Sequence, residues 1–214
     1  MRKLVLSAII TTSTLFGWGG FHSHQTNCNS GFVNILNNYP KQTLSTFEKS
    51  ALEHMAEEEK LARDVYITLY NKWGLRVFNN ISKAEQHHMD MVDLLLRRYG
   101  MRINNLPVGE FHNSNVQALY NKLVAQGSKN RVEALKVGAL IEDLDIYDLE
   151  RYMSESDNKD MLFVFKNLTK GSRNHMRAFV RFLNIYGASY SPKYISLSQF
   201  NSIINSNIER GIIR

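Results

Sequence analysis

The chain reads as an all-α protein: a bundle of four long helices, with a long crossover between the second and third and a short helix near the C-terminus. Three observations predict this. Only 3 prolines interrupt 214 residues, and proline is the residue that most reliably breaks a helix, because it lacks a backbone donor and clashes with the preceding turn. In four separate segments apolar residues recur at alternating spacings of three and four, which places them on one face of a helix of about 3.6 residues per turn. No stretch of useful length alternates with the period of two that a strand requires. Hydrophobic residues at 43% and charged residues at 21% are a globular composition rather than a disordered one, and the length fits one domain with appendages.

The first helix is expected from Thr43 or Ser45 to Trp73, stopped by Gly74, with a seam of Leu52, Met55, Glu59, Ala62, Tyr66, Leu69 and Trp73. Glu57 and Glu58 fall off that seam and read as solvated surface. The second is expected to start at Ser82, where Glu85 three residues later completes a capping box, and to close at Gly100. Its seam is Ile81, Glu85, His88, Val92, Leu95 and Tyr99. Residues 101–130, with Pro107 and Gly109, form a crossover holding a short helix over 113–125, a length suited to second and third helices that run parallel. The third helix runs from 131 towards 153 on a seam of Leu135, Gly138, Glu142, Asp145, Leu149 and Tyr152. The fourth spans 157–186, with Phe165, Leu168, Ser172, His175, Phe179, Phe182 and Tyr186 on its seam and Gly187 as its stop. Beyond the Ser191-Pro192 break, Phe200, Ile203 and Ile204 mark a short amphipathic segment that docks on the bundle.

The bundle domain with its C-terminal extension therefore occupies 43–207, followed by a tail at 208–214. Ahead of it, Met1-Arg2-Lys3 and the apolar run from Leu4 to Ile10 form the basic start and core of a secretory signal over 1–20, too short and too polar for a membrane span. Export is the expectation, with a cytoplasmic protein carrying a disordered tail as the alternative. Residues 21–42, rich in Asn, Ser, Gly and His, read as a flexible linker. The single cysteine, Cys28, excludes a disulfide or a thiolate metal cluster built by one chain. The formal charge of +6 is carried by scattered Lys and Arg with no stripe interleaved with aromatics, so nucleic acid is not an expected partner.

Each seam carries a polar interruption partway along, with apolar residues on both sides. If the helices pack antiparallel, Glu59, Glu85, His88, Glu142, Asp145 and His175 meet at one level of the core. Buried charges are costly unless neutralised, and a metal ion is an economical neutraliser. Glu85 and His88, three apart, share one helix face and can bind one centre together. Carboxylate oxygens and imidazole nitrogens without thiolate suit iron or manganese, with zinc a further choice. The plain alternatives are a cap for Glu85, a core aromatic for Tyr66, and acids that only fix packing register. The cap does not explain His88 on the same face one turn later.

The run Glu59-Lys60-Leu61-Ala62-Arg63-Asp64-Val65-Tyr66 resembles the first-helix motif of rubrerythrin-type ferritin-like proteins. Glu85-x-x-His88 is similar to their second-helix ligand pair, and Glu142 with Asp145 to their third-helix acids. The phrases Glu57 to Tyr66 and Gly171-Ser172-Arg173-Asn174-His175-Met176-Arg177-Ala178-Phe179 are also similar to the uncharacterised ferritin-like domain family of bacteria and archaea, domain of unknown function 2202. That likeness covers about residues 45–200. It implies a ferritin-like four-helix bundle and a di-iron or di-manganese site more firmly than any one activity. In that frame Glu59 and Glu142 are terminal ligands, Glu85 bridges, and His88 and His175 each give one nitrogen. One position departs from the pattern: Ser172 stands where the superfamily places a fourth-helix Glu. Asp145, one methylene shorter than Glu, is the carboxylate available to replace it.

The implied function is a non-haem di-iron oxidoreductase acting on peroxide, dioxygen or ferrous iron. The alternative is an exported metal-binding or structural bundle without turnover. The expected partners are metal ions and a small oxidant, an external electron donor if the site turns over, and in one form of assembly a second copy of the chain.

Overall fold

The computed structural model describes residues 30–104 and 106–214. The expected signal segment at 1–20, and Cys28 with the first part of the linker, lie outside the described residues. Seven helices and no strand occur among the described residues: α1 Ser30–Asn37, α2 Thr46–Trp73, α3 Arg76–Arg98, α4 Ser114–Gly127, α5 Arg131–Ser154, α6 Lys159–Ile185 and α7 Leu197–Asn205. Among these residues no helix is long and apolar enough to cross a membrane.

Local chemistry sets the helix ends. Ser45 caps α2 through a capping box with Glu48, which satisfies two otherwise orphaned backbone donors. Gly74, at φ 65°, ends α2 in the left-handed conformation that glycine adopts without strain. Only Gly74 and Leu75 separate α2 from α3, so α3 starts six residues ahead of the expected Ser82. The Ser82–Glu85 pattern is not a cap. The Ser82 hydroxyl donates back to Asn79 O at 3.1 Å, and Glu85 turns into the core. The early start is explained by Val77 and Phe78, both buried, with the Phe78 ring against Tyr66 and Phe179.

Side-chain pairs give the directions of the four long helices. On α2 and α5, Tyr66 meets Glu142 while His54 meets Tyr152. On α3 and α6, Glu85 meets His175 while Arg98 meets Asp160. In both pairs the numbers run in opposite senses. The pairs Glu59–His88 across α2 and α3, and Ser172–Asp145 across α6 and α5, complete the ring. Thus α2 and α6 run one way and α3 and α5 the other, and the crossover carrying α4 joins two parallel helices.

Two apolar clusters fill the bundle. One contains Tyr66, Leu69, Phe78, Leu135, Phe179 and Leu183; the other contains Leu52, Met55, Val92, Leu95, Leu149, Phe165 and Leu168. Between them, on all four long helices, lies the layer of buried ionisable side chains.

The structure corrects two segment boundaries. The segment expected to be linker contains α1, because Phe32, Ile35 and Leu36 lie at helical spacing; Phe32 and Leu36 are buried and Phe32 stacks on Phe163 at 4.8 Å. The expected tail at 208–214 is docked on α6: Glu209 pairs with Arg173 and Arg177, and Ile213 exchanges backbone hydrogen bonds with the Asn167 amide. Tyr186, expected on a packed seam, is 39% exposed past the end of α6.

A single carboxylate anchors the chain that returns from α6. Asp143 accepts from the Tyr190 hydroxyl at 2.7 Å and from the backbone amides of Lys193, Tyr194 and Ile195. Replacing it leaves those donors without their acceptor. Asp143→Ala is expected to lower unfolding free energy by about 2–3 kcal/mol and to open residues 188–196 to limited proteolysis ahead of the bundle, read by denaturant melts and timed digestion.

Candidate metal centre

Glu85 on α3 stands at the middle of the polar layer, and its two carboxylate oxygens face different histidines. Oε2 lies 2.8 Å from His88 Nδ1, one turn along the same helix, and Oε1 lies 2.8 Å from His175 Nδ1 on α6. Each imidazole nitrogen has a second carboxylate on its far side: Glu59 Oε2 at 3.2 Å from His88 and Glu142 Oε2 at 3.4 Å from His175. The order is Glu59, His88, Glu85, His175, Glu142, nearly symmetric about Glu85. The two rings stack at 5.3 Å between centroids.

Asp145 is at the same level but outside that row. It accepts a short hydrogen bond from Ser172, whose hydroxyl is also 3.1 Å from Leu168 O, and it lines an internal cavity together with Glu59, Glu85 and Glu142. All six residues expected at the site are buried and gathered in one layer. Tyr66, also buried, donates from its hydroxyl to Glu142 Oε1 at 2.5 Å, so it is at once core aromatic and hydrogen-bond donor to the cluster.

Burial raises the Glu59 and Glu142 carboxyls to about 7, with the Glu85 charge adding to the effect and the neighbouring histidines opposing it. Burial would raise Glu85 as well, but His175 and His88 on either side hold it well below the usual carboxylate range. Burial opposes charge on His175, yet the Glu85 and Glu142 carboxylates push it up to about 10; His88 is raised for the same reason by Glu59 and Glu85. Burial, then Glu59 and Glu142, raise Asp145 well above its ordinary value.

The layer fits a divalent cation on its own geometry. His175 Nδ1 and Glu85 Oε1 stand 2.8 Å apart, yet both are buried with no hydrogen bond made, as is Glu59 Oε1. Buried polar atoms are seldom left so. Metal–ligand bonds of about 2.1 Å at right angles set neighbouring donor atoms about 3.0 Å apart, close to the spacings along this row. Glu85, His88 and His175 each present one donor atom within 4.8 Å of the others.

Two openings reach the layer. On the α2/α5 side, a small, partly open cavity of about 50 Å³ is bounded by the carboxylates, by Leu119 and Leu123 of α4, and by Tyr194. On the α3/α6 side, a cleft of about 460 Å³ runs to His88 and His175 past His87, Met91 and Lys170. Gly171 lies where α6 crosses His88: a Cβ there would stand 2.2 Å from His88 Nε2.

Sequence reasoning missed a neighbouring set. Glu58, expected to be solvated, has a side chain only 14% exposed, beside His54 on α2, and these two gather with Asp148 of α5. Glu57 is half-buried beneath the Asn113 amide, which caps α4. The available signals were spacings: His54 stands four before Glu58, and Asp148 three beyond Asp145.

The fold and this layer define a helical bundle with an internal row of carboxylates and histidines. The chain belongs to the family described as an uncharacterized protein domain, DUF2202, whose model matches residues 48–207. It is similar to the uncharacterized protein MJ0754 of Methanocaldococcus jannaschii, 55% identical over 184 residues that make up 85% of this chain and 100% of the relative. It is likewise similar to the crystal structure of the hypothetical protein MJ0754 from Methanococcus jannaschii, at a TM-score of 0.78 and 56% identity, covering 79% of this chain and 98% of that one.

Gly171→Ala tests how tightly the row is held. Alanine favours helix over glycine by about 1 kcal/mol, but the added methyl must push the His88 ring off Glu59 and Glu85. Net destabilisation of about 1–3 kcal/mol is expected, together with a displaced His88 imidazole resonance and a smaller change at His175 in nitrogen-resolved NMR.

Proposed function

We propose that this chain is a ferritin-like four-helix bundle that holds two metal ions, iron foremost with manganese or zinc as substitutes. In this reading it acts as a non-haem di-iron oxidoreductase on peroxide, dioxygen or ferrous iron. The observation that carries the reading is Glu85: one buried carboxylate whose two oxygens each meet a different histidine, with a further glutamate beyond each ring. That is the arrangement of a bridging carboxylate between two equivalent positions. Glu59 with His88 would hold one ion, and Glu142 with His175 the other. The parallel α3 and α5, joined by a long crossover, support the ferritin-like assignment.

Two ferrous ions together supply the two electrons that convert one peroxide and two protons into two waters. The chain's own residues do the rest. Tyr66 fixes the orientation of Glu142 through its hydroxyl. The apolar clusters above and below keep bulk water from the layer, and the small cavity beside the carboxylates is of a size for a diatomic or peroxide molecule. With one cysteine, the chain has no rubredoxin-like electron relay, so a peroxidase cycle draws on an external donor. Ferroxidation, with iron as its own reductant, needs none. Export through residues 1–20 belongs to the same proposal.

A second reading, a metal-binding or structural bundle without turnover, is favoured by one observation. Asp145, the carboxylate available as a second bridge, is engaged by Ser172.

Glu85→Ala combined with His88→Ala is expected to abolish stoichiometric iron binding while circular dichroism stays helical; unchanged iron content would overturn the site. Ferrous-loaded wild type should consume peroxide or dioxygen faster than free iron, and a rate equal to free iron would favour the second reading. A further expectation concerns protons, since ligands lose them on binding metal. At pH 7 both histidines are charged in the metal-free protein, and Glu59 and Glu142, near 7, are each about half protonated. Filling both positions should therefore release about three protons, or about four if Asp145 ionises too. Calorimetry in buffers of different ionisation enthalpy measures this number, and affinity should rise with pH.

A further inference from the structure

Beside the central layer, towards the end of the bundle that holds α1, the α2/α5 interface carries a second group with metal-ligand chemistry. His54 and Glu58 are four apart on α2 and share a face; His54 Nδ1 lies 3.4 Å from Glu58 Oε2. Asp148 faces them from α5, and one donor atom from each of the three lies within 4.8 Å of the others. Bonds of about 2.1 Å to one ion require a spread of no more than about 4.2 Å, a difference that rotation of a carboxylate closes.

Two geometric observations point to a cation. Glu58 Oε2 is buried without a hydrogen-bond partner. The Glu58 and Asp148 carboxylates each bring an oxygen into a group no more than 4.8 Å across, and like charges so close repel unless something positive lies between them. The surroundings steady the group. Arg151 grips Asp148 Oδ1 from Nε at 3.2 Å and from its terminal nitrogen at 2.9 Å, and the Tyr152 hydroxyl lies 2.7 Å from His54 Nδ1, the hydrogen bond that an arriving ion replaces.

This group touches solvent: the side chains of His54, Glu58 and Asp148 are 16%, 14% and 10% exposed. Glu58 also lines the small cavity together with Glu59, Glu85, Glu142 and Asp145. One carboxylate thus belongs to both clusters. On α5, Glu142, Asp145 and Asp148 repeat every three residues and form a stripe of acids leading inward.

We propose that His54, Glu58 and Asp148 form a half-open site that takes one divalent transition-metal ion from solvent, completed by water, and passes it through Glu58 to the central layer. One imidazole and two carboxylates suit ferrous, manganous or zinc ions. The binding step stands on its own geometry; only the transfer step rests on the proposed central site.

The test uses zinc and the full chain. A crystal soaked in zinc and measured across the zinc edge should show an anomalous peak between His54, Glu58 and Asp148; no peak there overturns the site. In solution, His54→Ala with Asp148→Asn should lose one zinc equivalent relative to wild type, whereas Glu85→Ala with His88→Ala should keep that equivalent and lose the central ones. Equal stoichiometry in wild type and the His54/Asp148 variant would likewise overturn it. Should the central variant lose no zinc, the central assignment fails while the outer site stands. Stopped-flow loading of the central positions should slow about tenfold in the His54/Asp148 variant, and an unchanged rate would overturn the transfer step.

Discussion

A layer of ionisable side chains cuts the core of this bundle in two, and its charge balance is the constraint to which the rest of the structure answers. An ion left unpaired in such a place costs several kcal/mol, against a total stability of about 5–15 kcal/mol for a typical domain. The layer escapes that cost by staying near neutral. His88 and His175 are raised towards their charged forms, Glu85 is held ionised between them, Glu59 and Glu142 are raised to about 7, and Asp145 is pushed towards its protonated form. Positive and negative charge therefore offset each other within the layer. Under the proposed function a second neutral state would be available: neutral imidazoles, four ionised carboxylates and two divalent cations. Protons and metal ions would then be alternative counter-charges in one frame.

That balance also explains the roof of the site. The α4 crossover is held against α2 by Lys60, a buried cation bonded to Asp64 and to the carbonyls of Pro107 and Glu110 at 3.0 Å each, with its ammonium 4.2 Å from the centre of the Phe111 ring. Gly109 N donates to the same Asp64 at 3.0 Å. These bonds satisfy a charge pair that would otherwise be costly to bury. They also bring Leu119 and Leu123 over the carboxylates, so the length of the crossover serves both topology and enclosure.

The seams were legible because their period is a property of the helix alone. Glu59 among Leu52, Met55, Ala62 and Tyr66, or His175 among Leu168, Phe179 and Phe182, stands out before any partner helix is known. What was not legible depends on partners. A Ser-x-x-Glu pattern caps α2 at Ser45–Glu48 but lies inside α3 at Ser82–Glu85, and only the packing of Val77 and Phe78 separates the two cases. Glu58 and Glu59 are about 100° apart on their helix, so one seam can hold only one of them. Glu58 is covered because α2 borders both α3 and α5, and each border needs its own buried stripe. In the first part of the chain the polar content of residues 21–42 outweighed Phe32, Ile35 and Leu36, three residues that suffice for a helix once Phe163 offers a surface.

The two faces of the layer differ in kind, and that difference gives the site a direction. Carboxylates look towards α2 and α5, where a small cavity and a stripe of acids lead out by way of Glu58. Histidines look towards α3 and α6, where a wider cleft lined by Met91, Lys170 and the edge of His88 reaches the surface. Under the proposed function the acids of the first side favour an arriving cation, whereas Lys170 on the other side opposes one. A small neutral molecule faces no such bias and can use the broader opening. Under the proposed function, metal and oxidant would thus arrive from opposite faces, and Gly171, by leaving room for His88 against α6, lets an imidazole edge line the second face.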